Sequence, residues 1–210
     1  FGATLLLTAI TGRRLGNHYV FLACCLVMAH YWVPGVGKLA IDWTSQGHVY
    51  NLLPSTYANG WLGFLEPERI SAIARAIARL DSLILFFTLL LQLGAILALW
   101  RRQLLIALLC IYPLFHLAIF SLSGIFFWQW IIVEAALAVL VSRLGGTGTN
   151  VFTWRYFILS VVLIGGSSVW FKPVNLAWYD ANLAYTTRFE ATGQSGVRYK
   201  LSPDYFAPYQ

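Results

Sequence analysis

Apolar residues fall in five long runs, over about residues 17–39, 82–100, 103–122, 125–142 and 154–171. Each comes close to the ~20 residues that a helix needs to cross the hydrocarbon core of a bilayer. Polar punctuation separates them: Arg101-Arg102, the turn Ser121-Leu122-Ser123-Gly124, Arg143, and the connector Gly145-Gly146-Thr147-Gly148. The pattern predicts an all-α polytopic membrane bundle of about five full spans. Residues 1–11 are apolar but too short to cross, and no positive segment precedes them. They read as the end of a helix begun upstream rather than as a signal peptide.

Two shorter patterns lie outside the runs. Between the first and second, Ile70, Ile73, Ile77 and Leu80 recur at i, i+3, i+7 and i+10, one face of a helix. Pro67 suits a first helical turn and Glu68 the positive end of its dipole. With Arg69, Arg75 and Arg79 off the apolar stripe, this predicts an amphipathic helix lying in the membrane interface. After the last run, residues 188–192 and 197–201 alternate polar and apolar around Gly193-Gln194-Ser195-Gly196. That predicts a small C-terminal extramembrane β-hairpin, docked on the bundle or on a partner.

Composition agrees with a membrane protein. Of 210 residues 59% are hydrophobic and 10% charged, against about 25% charged in an average soluble protein. A net charge of +6 could signal nucleic acid in a soluble chain. Here the arginines flank apolar runs, as orientation in a membrane requires, so nucleic acid is set aside as a partner. If the spans alternate, Arg13/Arg14, Arg101/Arg102 and Arg143/Arg155 share one side, which makes that side cytoplasmic. The loop 42–81 and the tail 173–210 then lie outside. The expected location is the bacterial inner membrane with an extracytoplasmic tail. The three cysteines, Cys24, Cys25 and Cys110, have neither metal nor disulfide spacing and read as small buried hydrophobes.

Candidate chemistry gathers where the first span ends, in the stretch from His30 to Trp43. Pro34, Gly35 and Gly37 precede Lys38, and Asp42 lies four residues further on. A lysine at the edge of hydrocarbon must snorkel, pair or line a wet cavity. Pairing with Asp42 would make it structural; a desolvated amine beside a cavity can serve as a base. His30 lies two turns earlier, His116 follows Pro113 in the third span, Gln92 is in the second and Glu134 in the fourth. Polar side chains on four spans suggest an internal pocket, and a purely structural network fits the same residues. No phosphate loop, paired CxxC motifs, haem motif or serine elbow appears, and the histidines lack metal spacing.

Three stretches resemble the vitamin K-dependent gamma-carboxylase and its bacterial relatives, the HTTM (horizontally transferred transmembrane) family. PGVGKLAIDW, Pro34 to Trp43, is similar to the family's AGxKKLxxDW segment. Tyr112-Pro113-Leu114-Phe115-His116 with Gly124-Ile125-Phe126-Phe127 resembles its histidine helix and following turn. Ala177-Trp178-Tyr179-Asp180 through Tyr199-Lys200-Leu201-Ser202-Pro203 resembles its WDM motif and the hairpin ending in YLNP. The resemblance covers about residues 18–205 in the right order.

The resemblance places the family's vitamin K-activated base on Lys38, with the preceding lysine replaced by Gly37. It implies catalytic roles for Lys38 and His116, and a quinone- or lipid-binding pocket in the outer leaflet near them, with His30, Gly35, Gly37, Gln92 and Glu134 as lining candidates. The cofactor would be a vitamin K-like quinone or a bound lipid. Apart from residues 1–11, the family's upstream helices have no counterpart in this sequence, nor does its large lumenal domain, which argues against carboxylation of protein glutamates. The expected organisation is a truncated helix end and turn at 1–16, the bundle at 17–172 and the tail at 173–210. Besides the bilayer, the alternative function implies protein partners: a non-catalytic accessory subunit docked into a larger membrane complex through the outer loop and tail.

Overall fold

The computed structural model describes residues 17–40, 43, 49–143, 151–171 and 190–200. Its helices are α1 (Asn17–Ala40), α2 (Val49–Ala58), α3 (Pro67–Gly94), a 3-10 segment (Ala95–Trp100), α4 (Arg102–Ser123), α5 (Trp128–Arg143), α6 (Trp154–Gly165) and the single turn α7 (Ser167–Trp170). Three stretches are long and apolar enough to cross a membrane: Tyr19–Ala40, Pro67–Trp100 and Arg102–Ser123. The fourth and fifth apolar runs make shorter helices. α5 has 16 residues and α6 has 12, about 24 and 18 Å of rise against ~30 Å of hydrocarbon. Gly165 and Gly166 end α6 before its apolar run is exhausted.

α1 passes unbroken through Pro34, although proline has no N–H to give the His30 carbonyl one turn back. Its buried stripe runs Val20, Cys24, Met28, Tyr31, Gly35 and Lys38, in steps of three and four. α3 corrects the sequence reading. The interfacial helix and the second span are one continuous helix, with no break at Asp81-Ser82. Neither residue is a helix breaker, and the buried stripe Ile70, Ala74, Asp81, Leu85, Thr88 and Gln92 stays in register across the join. Of the four expected anchors, Ile70 is buried and Ile77 half-buried, while Ile73 and Leu80 are exposed.

The 3-10 segment is the hub, packing against α1, α4 and α6. Its Ala95, Ala98 and Leu99 are fully buried, and their small or compact side chains let three helices approach. At one end of the bundle, Arg102 donates from Nε to the Val141 carbonyl at 3.1 Å and from its guanidinium to that of Ser142. These are terminal carbonyls of α5, where a cation favours the helix dipole. At the other end, Thr56 Oγ1 donates to the Leu122 carbonyl at 2.8 Å and Trp61 Nε1 to that of Ser121 at 3.2 Å. α4 ends there on Gly124, whose φ of 73° is left-handed.

The bundle is inverted relative to a water-soluble one. Lys38, Asp81, Gln92, His116 and Glu134 are buried, while Phe86, Phe87, Leu90, Leu114 and Val162 are exposed. Together with the three long apolar helices, this marks an integral membrane protein.

The chain divides into two compact units, Phe1–Asn175 and Leu176–Gln210. The second contains the expected hairpin: β1 (Glu190–Thr192) pairs antiparallel with β2 (Arg198–Lys200), Ala191 opposite Tyr199. The turn closes with Gly193 N–H on the Val197 carbonyl, and Gly196 takes φ 78°. Arg13, Arg14, Asp42, His48, residues 177–180 and Pro203 lie outside the described residues.

Candidate functional site

Three helices each bring one buried polar side chain to a single point. α1 supplies Tyr31, α4 His116 and α5 Glu134, with relative exposures of 2%, 3% and 0%. The Tyr31 hydroxyl donates to Glu134 Oε1. His116 Nε2 lies 2.6 Å from the same hydroxyl and 3.3 Å from the same carboxylate oxygen. A phenol has one proton, so when it goes to Glu134 the His116 Nε2–H fills the phenol oxygen's remaining place. The three groups therefore form one connected network, in which a proton can be redistributed without any side chain moving far.

Aromatic packing holds this geometry. The Tyr31 ring stacks on Tyr112 at 3.6 Å between centroids and 9° between planes. Tyr112 in turn donates to the Leu91 carbonyl at 3.1 Å, tying α4 to α3. Phe127 packs against the His116 ring at 5.1 Å. Such stacked and tilted contacts fix ring planes as well as burying area.

Around this network lie the other candidates. His30 stacks on Trp130 at 3.7 Å and 14°, with its ring centroid 6.4 Å from that of His116. Gly35, one turn beyond Tyr31 on the buried stripe, faces Gln92: a Cβ on Gly35 would lie 2.9 Å from the Gln92 Cβ. Gln92 is thereby set one turn from Tyr31. Lys38 is buried two turns beyond Tyr31, about 10 Å along the axis. Its amine sits 5.3 Å over the ring of Trp43, a cation–π placement. Gly37 is on the exposed side of α1, where an added Cβ would meet nothing within 4 Å. The structure thus brings His116 and Glu134 together, places Gln92 and His30 beside them, seats Lys38 further along the same face and turns Gly37 away.

Among the described residues Glu134 Oε2, His116 Nδ1 and Gln92 Oε1 are buried without a hydrogen-bond partner, as is Asp81 Oδ1 about three turns away along α3. Buried polar atoms are normally satisfied, so three in one region mark a place where a further polar group fits. Among the described residues no three His, Cys, Asp or Glu side chains gather as a metal site requires. A cleft of about 520 Å³ opens elsewhere, lined by Thr56, Asn59, Gly60, Trp61, Ser123 and Gly124. None of the candidate residues lines it.

Tyr31, the residue at the centre, is absent from the sequence-derived set, as is its stacking partner Tyr112. Its signal was available: Tyr31, Gly35 and Lys38 stand at i, i+4 and i+7, one helical face. No family model, curated protein or solved structure matches this chain. The resemblance to the HTTM family therefore rests on its motifs.

Proposed function

We propose that the bundle binds the polar head of a quinone or quinone-like lipid beside Tyr31, His116 and Glu134, with Lys38 as the outer polar group of the same face. One observation carries the reading: a phenol, an imidazole and a carboxyl share a hydrogen-bonded network inside an apolar-surfaced bundle, with unsatisfied polar atoms on two of its members. A quinone or quinol head is flat, suits the aromatic surroundings of His30, Trp130 and Phe127, and presents oxygens that accept or donate hydrogen bonds. Its apolar tail belongs with the lipid-facing side chains. The motif resemblance points the same way, and it makes Lys38 the candidate base.

The test is ligand retention. Protein extracted in mild detergent should carry lipophilic quinone above its level in the surrounding membrane, and Tyr31→Phe with His116→Ala should lose it. Equal quinone in wild type, variant and bulk membrane defeats the reading. The accessory-subunit function would then stand, with the outer loop and tail as contacts.

The same proposal includes topology. α5 and α6 cross as fourth and fifth spans, short ones that a locally thinned bilayer accommodates. The arginine-bearing end is cytoplasmic, and the hairpin lies outside a bacterial inner membrane. A cysteine at position 195 should react with an impermeant reagent from the outside; reaction only from the cytoplasmic side overturns this placement.

A further inference from the structure

The continuity of α3 has a consequence at the membrane surface. Its exposed face changes character abruptly. Leu83, Phe86, Phe87 and Leu90 are exposed apolar side chains, and on the same side Arg75 and Arg79 are exposed cations. Leu83 to Gly94 rises about 18 Å as α-helix and Ala95 to Trp100 about 12 Å as 3-10 helix. Together that is about 30 Å, one hydrocarbon thickness. The stretch ends at Trp100 with Arg101 stacked 5.9 Å from its ring, an aromatic and a cation as found at interfaces. With one boundary at Trp100, the other falls at Leu83.

Arg79 then stands about 6 Å above the hydrocarbon and Arg75 about 12 Å above it. A headgroup layer is about 5–8 Å deep on each side, so Arg79 lies within it and Arg75 just beyond its aqueous edge, within the ~10 Å reach of an anionic surface. The two are four residues apart, so they are neighbours on the helix surface. Neither makes an ion pair among the described residues. Positions three and four away from either hold Ser71, Ala72, Ala76, Ala78, Ser82 and Leu83, none of them acidic. The buried Asp81 faces the opposite side of the helix.

We propose that Arg75 and Arg79 form a docking site for the phosphate headgroups of anionic membrane lipids, fixing the depth of α3 in the bilayer. The site lies on the lipid side of α3 and is independent of any ligand inside the bundle. Guanidinium forks match phosphate oxygens geometrically, and the apolar face directly below accepts the acyl chains of the same lipid.

The test measures thermal unfolding of the detergent-solubilised full chain during titration with phosphatidylglycerol or phosphatidylcholine. Phosphatidylglycerol should raise Tm and phosphatidylcholine should not. Arg75→Gln with Arg79→Gln should weaken the apparent phosphatidylglycerol affinity about 30-fold, from ~1 kcal/mol per basic residue near an anionic surface. The rise in wild type should shrink with added salt. An unchanged response in the double variant, an equal response to phosphatidylcholine, or a salt-independent one overturns the proposal. So does an equal rise with inorganic phosphate, which would make the pair a free-anion site. Should the double variant fold poorly, the salt and phosphate arms on wild type still decide.

Discussion

The hydroxyl of Tyr31 donates to a carboxylate oxygen of Glu134, 103 positions away in sequence, and both side chains are sealed from solvent. The contact joins α1 to α5 through one proton, and His116 from α4 completes it. It brings together buried polar groups from three helices at one place.

Tyr31→Phe removes the shared hydroxyl while keeping the ring stacked on Tyr112. Glu134 Oε1 and His116 Nε2 then lose their common partner. We expect a loss of about 1–3 kcal/mol, read as Tm in detergent at ~2–4 °C per kcal/mol. An unchanged Tm would show that the network contributes nothing to stability.

Glu134→Gln keeps an acceptor for Tyr31, whereas Glu134→Leu does not, so the leucine variant should lose more. A cycle of Tyr31→Phe with Glu134→Leu, in which each single change removes the contact, should give a coupling of about 0.5–3 kcal/mol, as for groups in one hydrogen-bond network. Strict additivity would contradict the geometry.

Gly35 and Gly37 make a controlled pair two residues apart. Gly37→Ala meets open space and gains up to ~1 kcal/mol of helix propensity. Gly35→Ala gains the same but sets its methyl 2.9 Å from the Gln92 Cβ, forcing α1 and α3 apart. Overpacking of this kind costs about 1–3 kcal/mol. Unfolding measurements should therefore rank Gly37→Ala above Gly35→Ala by about that amount. Equal stabilities would mean that α1 and α3 are not in contact there.

Gly124 combines two constraints. Its φ of 73° is left-handed, and an added Cβ would lie 2.9 Å from the Trp61 indole. Gly124→Ala should cost about 1–2 kcal/mol in backbone strain alone. It should also displace Trp61 from the α4 terminus, seen as a shift in tryptophan emission. No change in either would rule out the close contact.

Thiol labelling reads the packing directly. Cys110 is exposed on the bundle surface while Cys24 and Cys25 are buried. In detergent a lipophilic maleimide should reach at most one thiol per native chain, the lipid-facing Cys110, and an aqueous maleimide should reach three after unfolding. Rapid reaction of three thiols in the native state would show that α1 is not packed as described.

The amino-acid sequence by itself determined the class of this protein and the rough limits of α1, α4 and α5, though not the short helix α2 in the loop after α1. Long apolar runs, arginine punctuation and turn residues are local signals, and α1 and α4 end within a residue or so of where those signals fall. The hairpin was legible for the same reason, its glycines and alternation being local. The length of α3 was not, because a change from amphipathic to fully apolar character looks like a boundary, while the backbone continues wherever nothing breaks it. The shortness of α6 was not either, since Gly165 and Gly166 are read as helix residues or as a stop according to what packs beside them.

Polar residues on separate spans could be named from sequence, but which of them meet depends on helix rotation and crossing. Those are set by side-chain packing across the bundle, such as Gly35 against Gln92 and Tyr31 against Tyr112. Only the tertiary structure therefore decided that Glu134 meets His116 through Tyr31. Lys38 stays a further two turns along α1 because seven residues of rigid helix separate it from that hydroxyl.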